Sequence, residues 1–526
     1  MLWRVAVRVN TPVAGVRALR DGSRNQFSRV RVEERDLSIP AHTTRRVGIA
    51  ALVVALVALF AIAAVPADAK RKARAHGGES ENMRLLGMDD LQARSAYQPV
   101  IHHYAAGDRW IAFVGHHGGT AVNPLTGDEE PNGTSIVDVT NPRHPRYLHH
   151  IPGEPPTGAG EGGGAQMARV CNGSDLPGTT SDDAKVFLLR TYGNSAHQVW
   201  DVTDPSDPTL YTTVVDNLAG THKSFWECNT GIAYLVSGVP GWRTDRMTQI
   251  FDLKDPKNPE FIRNYGLVGQ EPGSTVEPVP TDLHGPISLG DRVYFGHGTG
   301  ANGIMQIADR TKLLTKAPPT PENLLAPQIS RLDLSSHWGA HTTFPVLGIP
   351  VAEDADFGIG ATRDVVVIVN EATNNECREE AHQRMFLADI TDVTKPQIIS
   401  SYRVPESEGQ YCQRGGRFGA HSSNENMTPI YYRKVVFISY FNAGVRAVDI
   451  RDPFNPEEVG HFIPRVTENT DPRCVTIDGA ERCKTAIQTN NVEVDDRGLI
   501  YIVDRANTGM HILQATGELR RIAAGG

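Results

Sequence analysis

A ten-residue pattern recurs along this chain as IVDVTNPRHP, VWDVTDPSDP, IFDLKDPKNP, LADITDVTKP and AVDIRDPFNP. Each copy starts as an alternating hydrophobic strand, reaches an aspartate and enters a proline-rich turn. A second strand follows, such as PRYLHHIP or TLYTTVVD. The aspartates are Asp138, Asp201, Asp252, Asp389 and Asp449. A degenerate copy, IMQIADR, supplies Asp309, and a seventh, MHILQATG, carries Gln514 instead. Self-similarity at spacings of 51 to 80 residues marks a repeat architecture. Asx side chains bond nearby backbone and Pro fixes φ, so these segments are tight turns before they are anything catalytic. One such turn within about four short strands makes a propeller blade. The reading is therefore all-β, a seven-bladed β-propeller over residues 97–523.

The same repeats resemble the LVIVD family, whose repeat pairs a strand of this type with a D-x-S/T-x-P-x-x-P turn. The resemblance implies the propeller fold. It implies little about activity, because the repeated residues are structural. The blades are expected at about 97–152, 161–217, 219–266, 282–337, 338–405, 412–465 and 486–523. Blade 4 carries an insertion, LLTKAPPTPENLLAP, between its third and fourth strands. ELRRIAA reads as the fourth strand of blade 7, so no exchange with the N-terminus is expected.

Composition agrees with many short strands: 50 Gly, 34 Pro and 21% charged residues. A net charge of −9 without a basic block after the N-terminal segment excludes nucleic acid as a partner class. Residues 1–69 read as an N-terminal extension with an export segment. Val47 to Pro66 is uncharged and long enough to span a bilayer. Arg45 and Arg46 precede it, and Ala67-Asp68-Ala69 follows as a small-x-small cleavage site. RRVGI also resembles a twin-arginine signal. A cleaved signal peptide, with the mature chain starting near Lys70, and an uncleaved membrane anchor both fit. Either puts the propeller outside the cytoplasm, in a secreted, periplasmic or cell-surface location. Residues 70–96 read as a linker.

Six cysteines suit that compartment, and none forms a C-x-x-C. Cys474 and Cys483 flank a short loop and are expected to staple a hairpin. Cys171 and Cys228 hold matching places in successive repeats, which leaves Cys377 and Cys412 by elimination.

Propeller geometry puts the start of each innermost strand and each loop between the second and third strands on one face. His222, His284, His341 and His421 open the innermost strands of blades 3 to 6. His116, His117 and His297 lie at the loops of blades 1 and 4, with Glu371 and Asp504 at comparable places in blades 5 and 7. Blade 2 has Ala165 and blade 7 has Asn490 where the series predicts His; His102 or His103 is the candidate in blade 1. Packing rarely needs imidazole at a channel mouth, whereas neutral imidazole is the commonest ligand for Zn, Cu and Fe. These seven histidines are therefore the expected metal ligands, with Glu371 and Asp504 orienting their rings. Lys223, beside His222, makes blade 3 the expected defector. Histidines bonded to water and carbonyls, or holding a small ligand without metal, are the competing readings.

No G-x-S-x-G elbow, P-loop or H-E-x-x-H motif is present, and EGGGAQ does not join a strand to a helix. The expected protein is an exported metal-dependent enzyme, redox or hydrolytic, with a transition metal ion (Cu, Fe or Zn) and a small-molecule substrate at the channel mouth. The alternative is a non-catalytic binding scaffold at the cell surface or in the periplasm.

Overall fold

The repeated aspartates do what their chemistry predicts. The side chains of Asp138, Asp201, Asp252, Asp389 and Asp449 each accept the backbone N–H two residues on, at 2.8–3.1 Å. A second Asx turn follows in each repeat, at Asn141, Asp204, Asp255, Asp392 and Asp452. Asp309 instead caps a short helix, Arg310–Leu313, by accepting from the Lys312 N–H. That helix leads into the blade 4 insertion, which contains a second one, Pro321–Leu325.

The computed structural model describes residues 78–157, 162–178, 183–351, 353 and 360–525. The N-terminal extension with its export segment (1–69) lies outside them. Seven small antiparallel sheets stand in a ring: the protein is a seven-bladed β-propeller. The innermost strands are Ala96–Tyr104, Ala168–Asn172, Phe225–Trp226, Leu283–Leu289, Thr342–Pro350, Ser422–Ser423 and Thr489–Val494, in blades 1 to 7. The core lies between neighbouring blades. At the junction of blades 7 and 1, Ala112, Val114 and Val137 pack with Tyr501, Val503 and Ile512, all within 1% of full burial.

Closure of the ring corrects the sequence reading. The outer strand of blade 7 is not ELRRIAA but Met83–Asp89, from the stretch read as linker. It pairs antiparallel with Gly509–Ala515, Met83 opposite Ala515 and Leu85 opposite Leu513. Just ahead of it, Glu79–Glu81 adds a fifth strand to blade 6. Gly87 is required where this N-terminal strand meets blade 1, because a Cβ there would sit 2.4 Å from the Pro142 carbonyl oxygen. ELRRIAA belongs to the helix Gly517–Ala523, whose Leu519 and Ile522 lie one turn apart and pack with Met83, Val459 and Val492. Short apolar runs do not distinguish helix from strand by periodicity alone, and here the three-residue spacing wins.

All six cysteines are paired: Cys171–Cys228, Cys377–Cys412 and Cys474–Cys483. The first ties blade 2 to blade 3, and the third crosses the hairpin Pro472–Ile477/Ala480–Thr485. Three disulfides are compatible with an extracellular location. Among the described residues no helix is long and apolar enough to cross a membrane.

Candidate functional site

The four histidines that open blades 3 to 6 meet in the middle of the ring. His222, His341 and His421 are held at their strand entries by backbone bonds. Each donates its N–H to the second strand of its own blade, at Val236, Val369 and Ser439, over 3.0–3.1 Å. His284 sits at a register shift, skipped between the pairs Leu283–His297 and Gly285–Gly296. A residue at such a bulge is re-aimed relative to the pleat. Tyr97 of blade 1 and Asn490 of blade 7 occupy the same skipped position in their own innermost strands. Tyr97, not His102 or His103, is thus the blade 1 member of the series. His102 bonds Asn172, and His103 bonds Asp108 while stacking on Trp110, near the far end of that strand.

The rings form a continuous chain. The His222 and His284 centroids are 4.7 Å apart, His284 and His341 stack at 3.4 Å, and His341 and His421 lie at 4.4 Å. Their donor atoms make two adjoining groups. In one, His222 Nε2 and His284 Nε2 are 3.0 Å apart, and the Tyr97 hydroxyl is 3.3 and 3.2 Å from them. In the other, Glu371 Oε2 lies 3.7 Å from His341 Nε2 and Oε1 lies 3.8 Å from His421 Nε2. The three ligand atoms offered by His341, Glu371 and His421 fall within 4.8 Å of one another. His222, so placed, is no defector. The Lys223 ammonium turns to Glu425 and the Ser422 hydroxyl, so its charge is matched by a carboxylate.

Burial decides the charge state of these rings. All four are more than nine-tenths buried. Loss of hydration holds His222, His284 and His341 well below the usual imidazole range and brings His421 down to about 3. Neighbouring cations, Arg246 beside His222 and Lys223 beside His284, push the same way. The imidazoles are neutral at ordinary pH, the form in which they bind metals. Backbone carbonyls bias two tautomers as well. His421 Nδ1 lies 2.5 Å from the Asn490 carbonyl, which can only accept, and a proton there leaves Nε2 unprotonated and facing Glu371. Ser95 spends its hydroxyl proton on the Arg505 carbonyl, so His117 Nδ1 donates to Ser95 and Nε2 is again the unprotonated nitrogen. His117 packs edge-on against Tyr97 at 5.2 Å, at the border of the cluster.

Glu371 is held between opposite pulls. Burial raises its pKa, whereas Arg417, whose Nη1 donates to Oε1 at 2.9 Å, and Arg246 oppose the rise. Arg417 and Arg505 both lie over the Phe441 ring, at 5.4 and 5.8 Å, and Phe441 in turn packs on His421 at 5.0 Å. Phe441 is fully buried with φ +42°, a left-handed conformation costly for a bulky residue. Its strained backbone is clamped by paired bonds to Thr489 of blade 7.

Three residues of the series are placed elsewhere. His116 and His297 close the second strands of blades 1 and 4, one strand removed from the axis. His116 Nε2 bonds the Ser135 hydroxyl at 2.8 Å, and His297 is enclosed beside Phe295. Asp504 ends the second strand of blade 7 and accepts from the backbone of Gln488, Ala506 and Thr508, so it shapes a loop and orients no ring. Repeat position gives the face of the ring but not the distance from its axis, and these three fall one layer out. Tyr97, Arg246, Arg417 and Arg505 escaped the sequence reading; aligning the first strand of blade 1 on its bulge finds Tyr97. Cys377 and Cys412 near His382 offer no thiolate, because both are in a disulfide. No protein-family model matches the chain, and no characterised protein resembles it significantly in sequence.

Proposed function

We propose that this protein is an exported LVIVD-type propeller that holds a transition metal ion (Cu, Fe or Zn) among the axial histidines. The metal would serve redox or hydrolytic chemistry on a small molecule reaching the channel mouth. One observation carries the reading: neutral, buried imidazoles from four blades gather with Glu371, a carboxylate in contact with two of them. Nitrogen donors beside a carboxylate suit these three ions, and the low polarity around them strengthens each metal–ligand attraction. Arg417 would hold Glu371 in place, and the Asn490 carbonyl would keep the His421 ring turned with Nε2 inward.

The test is metal analysis of tag-free protein recovered through its own export route. About one ion per chain is expected, with its loss in His341→Ala and His421→Ala variants that still fold. Folded, exported wild type without metal would refute the reading. The near-complete burial of the histidines favours a second reading, a non-catalytic scaffold whose polar channel only ties the blades together. That reading expects no metal and ring-to-ring hydrogen bonds alone.

A further inference from the structure

The Tyr97 hydroxyl and the Nε2 atoms of His222 and His284 form a triangle with sides of 3.0, 3.2 and 3.3 Å. Hydrogen bonding alone does not account for it. An imidazole nitrogen has a single in-plane site, occupied either by a proton or by a lone pair. Each Nε2 here faces two partners at bonding distance, so at least one side of the triangle lacks a well-directed hydrogen bond. A metal ion removes the conflict, since each donor then aims its one lone pair at a common point. Donors about 2.0–2.1 Å from an ion stand about 2.8–3.4 Å apart, between right-angled and tetrahedral arrangements. All three sides fall within that span.

The fold supplies an independent reason to group the tyrosine with the histidines. Tyr97 is skipped in the register between Ala96–His116 and Gln98–Gly115, just as His284 is skipped in blade 4. The two side chains are therefore re-aimed by the same backbone device at equivalent places in the ring. Tyr97 is 3% exposed, and the imidazoles of His117, His222 and His421 surround its ring at 5.2–6.0 Å. Other buried tyrosines of the chain behave differently; the Tyr104 hydroxyl, for example, simply donates to the Val202 carbonyl at 2.7 Å.

We propose that Tyr97 is itself a metal ligand, its phenolate oxygen forming one coordination face with His222 and His284. The inference rests on the metal-centre reading above. On binding, the phenol O–H bond breaks, a metal–oxygen bond forms and the proton passes to solvent, with no change of oxidation state. The centre would then be a mixed imidazole–phenolate site, in which the anionic oxygen offsets part of the ion's charge.

The experiment uses the full-length exported protein, stripped with chelator and reloaded with Cu(II) as the probe. Wild type is expected to bind Cu(II) and to show a visible phenolate-to-copper charge-transfer band with phenolate modes in its resonance Raman spectrum. Tyr97→Phe should lose the band while still taking up copper through the histidines, and Tyr104→Phe should keep it. Circular dichroism establishes that each variant is folded. A copper-loaded wild type without the band, or a band that persists in Tyr97→Phe, overturns the tyrosine ligand and leaves the histidine centre standing. Folded wild type that takes up no Cu(II), while His222→Ala behaves identically, overturns both.

Discussion

His421 and Asn490 face each other across the junction of blades 6 and 7, and the Asn490 carbonyl accepts the His421 Nδ1 proton at 2.5 Å. A backbone carbonyl has no proton to give, so a hydrogen bond here places the proton on Nδ1 and leaves Nε2 to face Glu371. Asn490 stands where a fifth histidine would continue the series. Its main-chain carbonyl holds the His421 ring, and its side-chain amide donates to the Tyr97 carbonyl at 3.0 Å.

Replacing His421 therefore has two separable effects. His421→Ala should release the proposed metal ion and also remove the donor that the buried Asn490 carbonyl faces, at a cost of about 1–3 kcal/mol. Chemical denaturation of the metal-free forms isolates the second effect. Equal stability of the metal-free variant and wild type would mean that the contact contributes nothing.

The closing strand should behave as part of the domain. A chain starting at Gly78 is expected to unfold cooperatively and to remain monodisperse. One starting at Asp90 leaves the Gly509–Ala515 strand as an open edge, bares Met510, Ile512 and Leu513, and should aggregate. Thermal melts and size-exclusion chromatography of the two distinguish them. Equal behaviour would show that blade 7 does not need Met83–Asp89.

Below the histidines, Glu425 bridges Lys223 of blade 3 and Arg169 of blade 2, and burial beside Glu425 raises the Glu493 carboxyl to about 7 from its ordinary 4.5. Between these values the unfolded chain ionises Glu493 and the folded chain does not. This contribution is full below about 4.5 and is lost as pH rises through about 7. Glu493→Gln should therefore show a smaller fall in stability between about pH 5 and pH 8 than wild type, with denaturant midpoints as the readout. A parallel pH dependence in the two would refute the assignment.

The disulfides should differ in weight. Cys171–Cys228 closes a loop of 57 residues between two packed blades, and chain entropy assigns it about 4 kcal/mol. Cys474–Cys483, at a separation of 9, lies on a hairpin whose second strand is wholly exposed. Paired Cys→Ala changes should lower the melting temperature more in the first case than in the second. Comparable shifts would contradict this ranking.

What could be read from sequence tracks the range of the interaction. Asp138 and its counterparts build turns with residues two places away, so the blades were visible without coordinates. The histidines were legible for the same reason, each standing at a fixed offset within its repeat. Ring closure was not, because MRLLGMD is a short apolar run whose partner lies at the other end of the chain. His116, His297 and Asp504 share a repeat position with one another and a face with the cluster, yet strand order moves them off the axis. Tyr97 was hidden by its residue type: a search for imidazole passes over a phenol at the equivalent bulge.

The pairing of Met83–Asp89 with Gly509–Ala515 also sets an order of events. Arg84 and Gln514, bonded across that seam, are 430 positions apart, so one of the first described strands to emerge waits for the last. Contacts of such long range make for slow folding. Tyr97 arrives with the first blade and Asn490 with the last, while the histidines come in between. During synthesis the central cluster therefore stays open to solvent until the final blade arrives, and any ion it holds is caged only when the chain is complete.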